Sequence, residues 1–326
     1  MTPVPQAAGP PQIERLAILS VYVVRTDAEV ALVQLQLARI QRHTSIPYTL
    51  YAVAHRANPE AQSILAATPN VVVCDIAPTD LRLSREHAYY LDALASIAIA
   101  DGATHLVTLD VDAFPIDDRW LEVLNSAAPV ESGIAAVLRA ENGDSALPHP
   151  SCSMMRRAYY EQYRPTFSPD SDMTPEFRQF LRTTGQSGDT GIRIAYTLWA
   201  HQLPWGRLMR TNRRNVHFLI GGIYGDVVFH LGAGARAALF RKDIEGSRAH
   251  RLTRPIDRIP VRSTALQHLK RRFLAMTRSG AEQRFIARNQ AAEERVREWL
   301  LSDSDGLMRY LRGESPGTIG DDPRLP

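Results

Sequence analysis

The first strong feature of the hydropathy pattern is Leu16–Val24 (LAILSVYVV), an apolar, β-branched run that predicts a buried strand. Apolar residues then recur at Val30, Val33, Leu37 and Ile40, a helical stripe that ends before Pro47. Tyr48–Ala54 predicts a second strand, Glu60–Ala67 a short helix and Val71–Cys74 a third strand. Glu86–Ala100 reads as a helix with Leu91, Leu94, Ala95 and Ala98 on one side. His105–Leu109 is a fourth strand, a helix follows around Arg119–Asn125, and Ile134–Arg139 is a fifth strand. This alternation predicts an α/β fold: a Rossmann-like, mainly parallel sheet flanked by helices and joined by right-handed crossovers. Ligands in such sheets sit beyond the carboxyl ends of the strands.

After Arg139 the pattern changes. Loop-like segments, ENGDSALPHPSCS and RPTFSPDSDMTP, precede an amphipathic helix over Gly191–Gln202. Val216–Ile220 and Val227–Leu231 read as paired strands around the turn GGIYGD. From Arg236 onward the chain reads as helical and basic. The expected organisation is a tail over residues 1–15, a catalytic domain over 16–235, a helical basic C-terminal extension over 236–312, and a tail over 313–326.

Composition narrows the class. Hydrophobic residues make up 44% and charged residues 22%, values of an ordinary globular protein. Cys74 and Cys152 have neither CxxC nor zinc spacing, so neither a disulfide framework nor a cysteine metal site is expected. Leu16–Val24 is too short to span a bilayer, and the start MTPVPQAAGPPQ lacks the basic and apolar regions of a signal peptide. The expected location is cytoplasmic. Between Arg236 and Glu298 lie 16 Lys and Arg against 7 Asp and Glu, whereas the remainder holds 22 against 28. The net charge of +3 thus conceals a basic late segment, rich in arginine, whose planar fork suits phosphate and carboxylate.

The segment THLVTLDVDAFPIDDRW carries the most chemistry. On an extended backbone, residues two apart face the same side, so Asp110 and Asp112 would present carboxylates together at the end of the fourth strand. Two such charges repel unless a cation lies between them, and Mg²⁺ or Mn²⁺ favours this oxygen set. The alternative is a strand end closed by turn and capping bonds. Arg25 follows the first strand where nucleotides approach in this architecture, and Arg236, past the Gly232–Gly234 loop, has the reach to hold a diphosphate bidentately. Asp189 or Thr190 suits an N-cap, and loop-borne His149 suits an acceptor site.

The block SREHAYYLDALASIAIADGATHLVTLDVDAF resembles the centre of GT-A glycosyltransferases, especially the family 2-like ones. HPSCSMMRR, GDTG and VVFHLGAG follow in the same order, and the resemblance covers roughly Leu16 to Arg236. It implies a GT-A fold with a DxD motif. It also implies that Asp110 and Asp112 hold the metal, that His230 completes the metal shell, that Arg85 contacts the nucleotide, and that Asp189 acts as general base toward an acceptor hydroxyl. The family's uracil-contacting aspartate after the second strand is replaced here by AVAHRAN, so the resemblance names no base.

The resulting expectation is a metal-dependent transferase that moves a sugar from a nucleoside diphosphate donor to a hydroxyl on a glycan, a lipid-linked or a small-molecule acceptor, with inversion if Asp189 is the base. Two alternatives compete. A nucleotidyltransferase would need a glycine-rich loop after the first strand, where this chain has SVYVVRTDAE. A binding protein would use the basic segment, and no nucleic-acid motif accompanies it. Leu266, Leu269, Phe273 and Met276 form one helix face beside Lys270, Arg271 and Arg272. That face either docks on the catalytic domain or contacts the anionic inner surface of a membrane.

Overall fold

A run that is apolar at every position suits a strand covered on both sides, and β1 (Leu16–Val24) is such a strand. Leu16 and Ile18 enter one hydrophobic cluster, and Ala17 and Leu19 enter another on the opposite face. The computed structural model describes residues 11–169, 173–232, 240–260 and 263–314. They fall into two units, the first of residues 11–140, 144–213 and 222–230.

The first unit follows the predicted alternation: α1 (Asp27–His43), β2 (Tyr48–Ala57), α2 (Pro59–Ala67), β3 (Val71–Val73), α3 (Ser84–Ala100) and β4 (His105–Leu109). Then come β5 (Ala113–Pro115), α4 (Trp120–Ala127), β6 (Ile134–Val137), β7 (His149–Arg156), α5 (Arg157–Tyr163), α6 (Pro175–Thr184), α7 (Ile192–Ala200), β8 (Gly206–Leu208), β9 (Gly222–Tyr224) and β10 (Val228–His230). A seven-stranded sheet has the order β3-β2-β1-β4-β7-β6-β8, and a three-stranded sheet has the order β5-β10-β9. Pairings in the large sheet are parallel except those of β7 with β4 and β6. The side chains of α1, α2 and α4 pack on one face, and those of α3, α5 and α7 on the other. This is the expected mainly parallel α/β sheet in a GT-A-like, Rossmann-type arrangement.

Two segments depart from the sequence reading. HPSCS was read as loop, yet it lies in the central antiparallel strand β7. Its serines find partners inside the sheet, as where Ser153 Oγ lies 2.8 Å from Thr108 Oγ1, while Cys152 and Met154 fill the core. Val216–Ile220 is not a strand: the N–H groups of Leu219 and Ile220 donate to His217 Nδ1, both at 3.2 Å. The preceding strand that pairs with β10 is β9, which lies within the predicted turn, and β5 pairs with its other edge.

Asp92 of α3 ties down the segment after α5. It accepts hydrogen bonds from Phe167 N (2.8 Å) and Thr166 Oγ1 (2.5 Å). Burial pushes its carboxyl up to about 6, against the lowering effect of those two bonds. A carboxyl raised above its unfolded value contributes stability below the unfolded pKa and loses it as pH rises through the folded one. Asp92→Asn keeps an acceptor for Phe167. It is expected to stabilise the protein by up to about 3 kcal/mol at pH 7.5, the gain shrinking toward pH 4, as read by urea melts across pH.

The second unit comprises described residues 141–143, 214–221, 231–232, 240–260 and 263–314. It contains α8 (Arg241–Gly246), α9 (Arg248–Arg258), the 39-residue α10 (Thr264–Ser302) and α11 (Ser304–Leu311). Its apolar core joins Ala292, Val296, Trp299 and Leu300 of α10 to Leu307, Met308 and Leu311 of α11 in the buried set. A polar chain is buried as well: Asn289 donates to Asp243 Oδ2 at 2.6 Å and lies 3.1 Å from His217 Nε2. The described part of the basic extension is helical and shares this unit with residues 141–143 and 214–221. Among the described residues, no helix is long and apolar enough to cross a membrane.

Candidate metal centre

β4 ends at Leu109, and the chain turns at once: Ala113 N donates to Asp110 O at 2.9 Å, closing a tight turn through Asp110, Val111 and Asp112. The expectation of an extended Asp110–Asp112 segment is corrected here, because the turn, not the strand pleat, brings the two carboxylates together. Asp110 N donates to Ser151 O on β7, and Ser20 Oγ donates to Leu109 O at 2.7 Å. Fully buried Gln36 of α1 supplies the main brace. Its Nε2 donates to Asp110 O (2.7 Å) and Ala113 O (3.0 Å), while its Oε1 accepts from Tyr22 Oη (2.8 Å).

The third group arrives from the small sheet. β10 pairs antiparallel with β5 so that His230 lies opposite Ala113, the neighbour of Asp112. Ligand atoms of Asp110, Asp112 and His230 all fall within 4.8 Å of one another. His230 Nε2 stands 3.4 Å from Asp112 Oδ1, and His87 Nε2 of α3 stands 3.5 Å from Asp110 Oδ1. Burial pushes the Asp110 carboxyl above its ordinary value. His87 opposes this, Asp112 adds to it, and His230 and Arg139 oppose it further. Cys152, behind the pair, is an inert thiol pushed up to about 12 by burial and by Asp110.

These residues fit a hard divalent cation. Two ligands of one octahedral ion with bonds of ~2.1 Å stand roughly 3 Å apart, close to the 3.4 Å between His230 and Asp112. The buried His230 Nδ1 has no hydrogen-bond partner among the described residues. Two carboxylates and one imidazole suit Mn²⁺ better than Mg²⁺.

The other predicted site residues are placed as follows. Arg85 lies at the start of α3 and lines a cavity of about 370 Å³ with Arg82, Ser84, Met173, Phe177 and Gly188. Asp189 belongs to the same corner: its Oδ1 accepts from Ser84 Oγ (2.6 Å) and Thr190 N (2.8 Å). Neither Asp189 nor Thr190 is the N-cap of α7. That position is Gly191, at φ 85°, a left-handed conformation that favours glycine. Arg25 is exposed one residue beyond β1 and donates its backbone N–H to Glu29 Oε2 at 2.6 Å. Arg236 lies outside the described residues.

The sequence reading gave no role to His87, Arg139 or Gln36. His149, read as a loop residue, is the first residue of β7; its ring is 5.8 Å from that of His230, and its Nδ1 accepts from Ser151 N. The signal for His87 in the sequence is its place two residues after Arg85 in the first turn of α3. Because Gln36 supports the metal turn from behind, Gln36→Met is expected to weaken Mn²⁺ binding roughly tenfold and to cost about 1–3 kcal/mol of stability. Calorimetric titration of Mn²⁺ and a urea melt check both.

No family model matches the chain, and no curated protein matches it. Solved structures do. A mannosyltransferase from Pyrobaculum calidifontis, solved with GDP-Man and Mn²⁺, is 14% identical over 96% of this chain and 87% of that one, with a TM-score of 0.46. The galactosyltransferase LgtC, solved with donor and acceptor sugar analogues, is 8% identical over 60% of this chain and 73% of its own, with a TM-score of 0.36. Mouse xyloside xylosyltransferase 1 is 12% identical over 60% and 84%, with a TM-score of 0.37. Likeness this distant assigns neither substrate nor mechanism, and the chemistry rests on the site's own geometry.

Proposed function

We propose that this chain is a metal-dependent glycosyltransferase that moves a sugar from a nucleoside diphosphate donor to an acceptor hydroxyl. The observation that carries the reading is the meeting of Asp110, Asp112 and His230 at the carboxyl end of β4, where a sheet of this kind binds its ligands. Asp110, Asp112 and His230 would hold a divalent ion, which when bound supplies charge neutralisation for a diphosphate leaving group. His87 and Arg139 add positive potential beside Asp110 when His87 is protonated. We assign to Arg85, which lines the cavity, the binding of an anionic part of the donor.

Asp189 is the proposed base. Its two hydrogen bonds orient the carboxylate at the α3 corner, so that it accepts the proton of an incoming hydroxyl while the anomeric configuration inverts. The transition state at the anomeric carbon has oxocarbenium character. The nucleotidyltransferase reading finds no support between β1 and α1. That connection is Arg25 and Thr26, and Thr26 is taken up as the N-cap of α1, accepting from Glu29 N.

The test is incubation with UDP-, GDP-, CDP- and dTDP-sugars plus Mn²⁺. The expected result is release of one nucleoside diphosphate with a new glycoside of inverted configuration by NMR. Pyrophosphate release from a nucleoside triphosphate would replace the reading with nucleotidyl transfer, and a retained configuration would remove Asp189 as base.

A further inference from the structure

α9 and the first part of α10 form an antiparallel hairpin. Their seam is polar: His250 Nε2 lies 2.9 Å from Glu282, Arg278 Nε donates to Thr253 Oγ1 at 2.8 Å, and Arg278 pairs with Asp257 at 3.0 Å. Away from that seam α9 presents Leu252 and half-buried Ile256, with Ile259 just past its end. α10 presents Leu266, Leu269, Phe273 and Met276 at spacings of three and four. At about 100° per residue, each stripe turns away from the seam residues of its own helix. They are well exposed: Met276 by 72%, Leu252 by 69% and Leu269 by 65%.

The flanks of the stripes are cationic. From Arg248 to Arg272 the sequence holds eight Arg and Lys against the single acid Asp257, and at about 100° per residue Lys270 and Arg272 border the α10 stripe while Arg251 borders the α9 stripe. Scattered exposed leucines need no explanation, but Leu252, Ile259, Leu266, Leu269, Phe273 and Met276 all fall within 25 residues.

We propose that this hairpin docks on an anionic lipid bilayer. The apolar stripes enter the boundary between headgroups and acyl chains, and the flanking arginines meet lipid phosphates. Charge selects this occupant. A second copy seated face to face would bring two strongly cationic hairpins together, and a nucleic acid would engage the arginines but leave the apolar side chains in water. The proposal is independent of the transferase reading, because docking requires neither donor nor metal.

Sedimentation of the full chain with vesicles tests it. Vesicles of phosphatidylcholine alone are compared with vesicles carrying about 30 mol % phosphatidylglycerol, at about 0.1 M and about 0.5 M NaCl. Binding is expected to the anionic vesicles, roughly tenfold weaker at the higher salt and weaker still without phosphatidylglycerol. A Phe273→Glu, Met276→Glu double variant is expected to lose most binding with an unchanged melting temperature, since both side chains are exposed. Arg251→Ala with Arg272→Ala is expected to weaken binding severalfold. Three results overturn the proposal: no sedimentation with anionic vesicles, equal binding to neutral ones, or a double glutamate variant that binds like the wild type.

Discussion

Asp110→Asn is expected to melt at a higher temperature than the wild type in EDTA and to lose the stabilisation that Mn²⁺ gives the wild type. Burial and the adjacent Asp112 make a second negative charge at Asp110 costly in the metal-free protein, more so than His87, His230 and Arg139 relieve. Asparagine removes that charge and keeps the shape. The same change takes a ligand from the cluster, so the cation that offsets the repulsion in the wild type is no longer held. For the wild type, Mn²⁺ at a hundred times its Kd contributes about 2.7 kcal/mol. Transfer activity of the variant should fall about a thousandfold, corresponding to several kcal/mol of transition-state stabilisation. Thermal melts with and without Mn²⁺, paired with a turnover assay, read all three effects. A variant that still gains stability from Mn²⁺ would place the ion elsewhere.

The second large effect concerns Arg156, at the end of β7 and almost fully buried. Its guanidinium donates to Asn125 O (2.9 Å), Asn125 Oδ1 (3.0 Å), Ala128 O (3.1 Å) and Pro129 O (3.3 Å). Three are backbone carbonyl oxygens at and just beyond the C-terminus of α4, where the last carbonyls lack helical partners and the dipole favours a cation, and the fourth is the Asn125 side-chain amide oxygen. Burial pulls the Arg156 pKa down. Gly133 leaves room for the side chain: a Cβ there would stand 2.9 Å from Arg156 Cβ, on a backbone with φ 61°. Arg156→Met fills similar volume but strands these oxygens, and is expected to cost about 3–5 kcal/mol. Arg156→Lys keeps the charge without the fork and should recover part of the loss. A urea midpoint within error of the wild type for Arg156→Met would refute this account of the α4 terminus.

What the sequence made legible follows from how local each signal is. β1 and β4 were readable because strands covered on both faces are apolar throughout, and α1 because its stripe and its Thr26–Glu29 capping box lie within a few residues. Asp110 and Asp112 were readable as a pair, although their meeting depends on a turn. His230 was anticipated through its likeness to a known arrangement, and the β10–β5 register is what delivers it.

β7 was hidden because Pro148, Pro150 and the serines read as loop, whereas the serines pair across strands inside the sheet. Gln36 was hidden for a different reason. Nothing near it in the chain marks it as different from a polar helix residue, and its partners lie 74 and 77 positions away. His87 likewise acquires its neighbour only when the start of α3 and the end of β4 come together. The stripe of α10 was visible as amphipathic, but the exposure of its side chains is read only from the fold.

The most direct test of the metal-dependent donor site is calorimetric titration of the full chain with UDP, GDP, CDP and dTDP, each with Mn²⁺ and with EDTA. The account predicts that one diphosphate binds in Mn²⁺, that EDTA abolishes the binding, and that Asp110→Asn and His230→Ala do the same. Binding that is indifferent to Mn²⁺, or absent for every diphosphate in its presence, would contradict it.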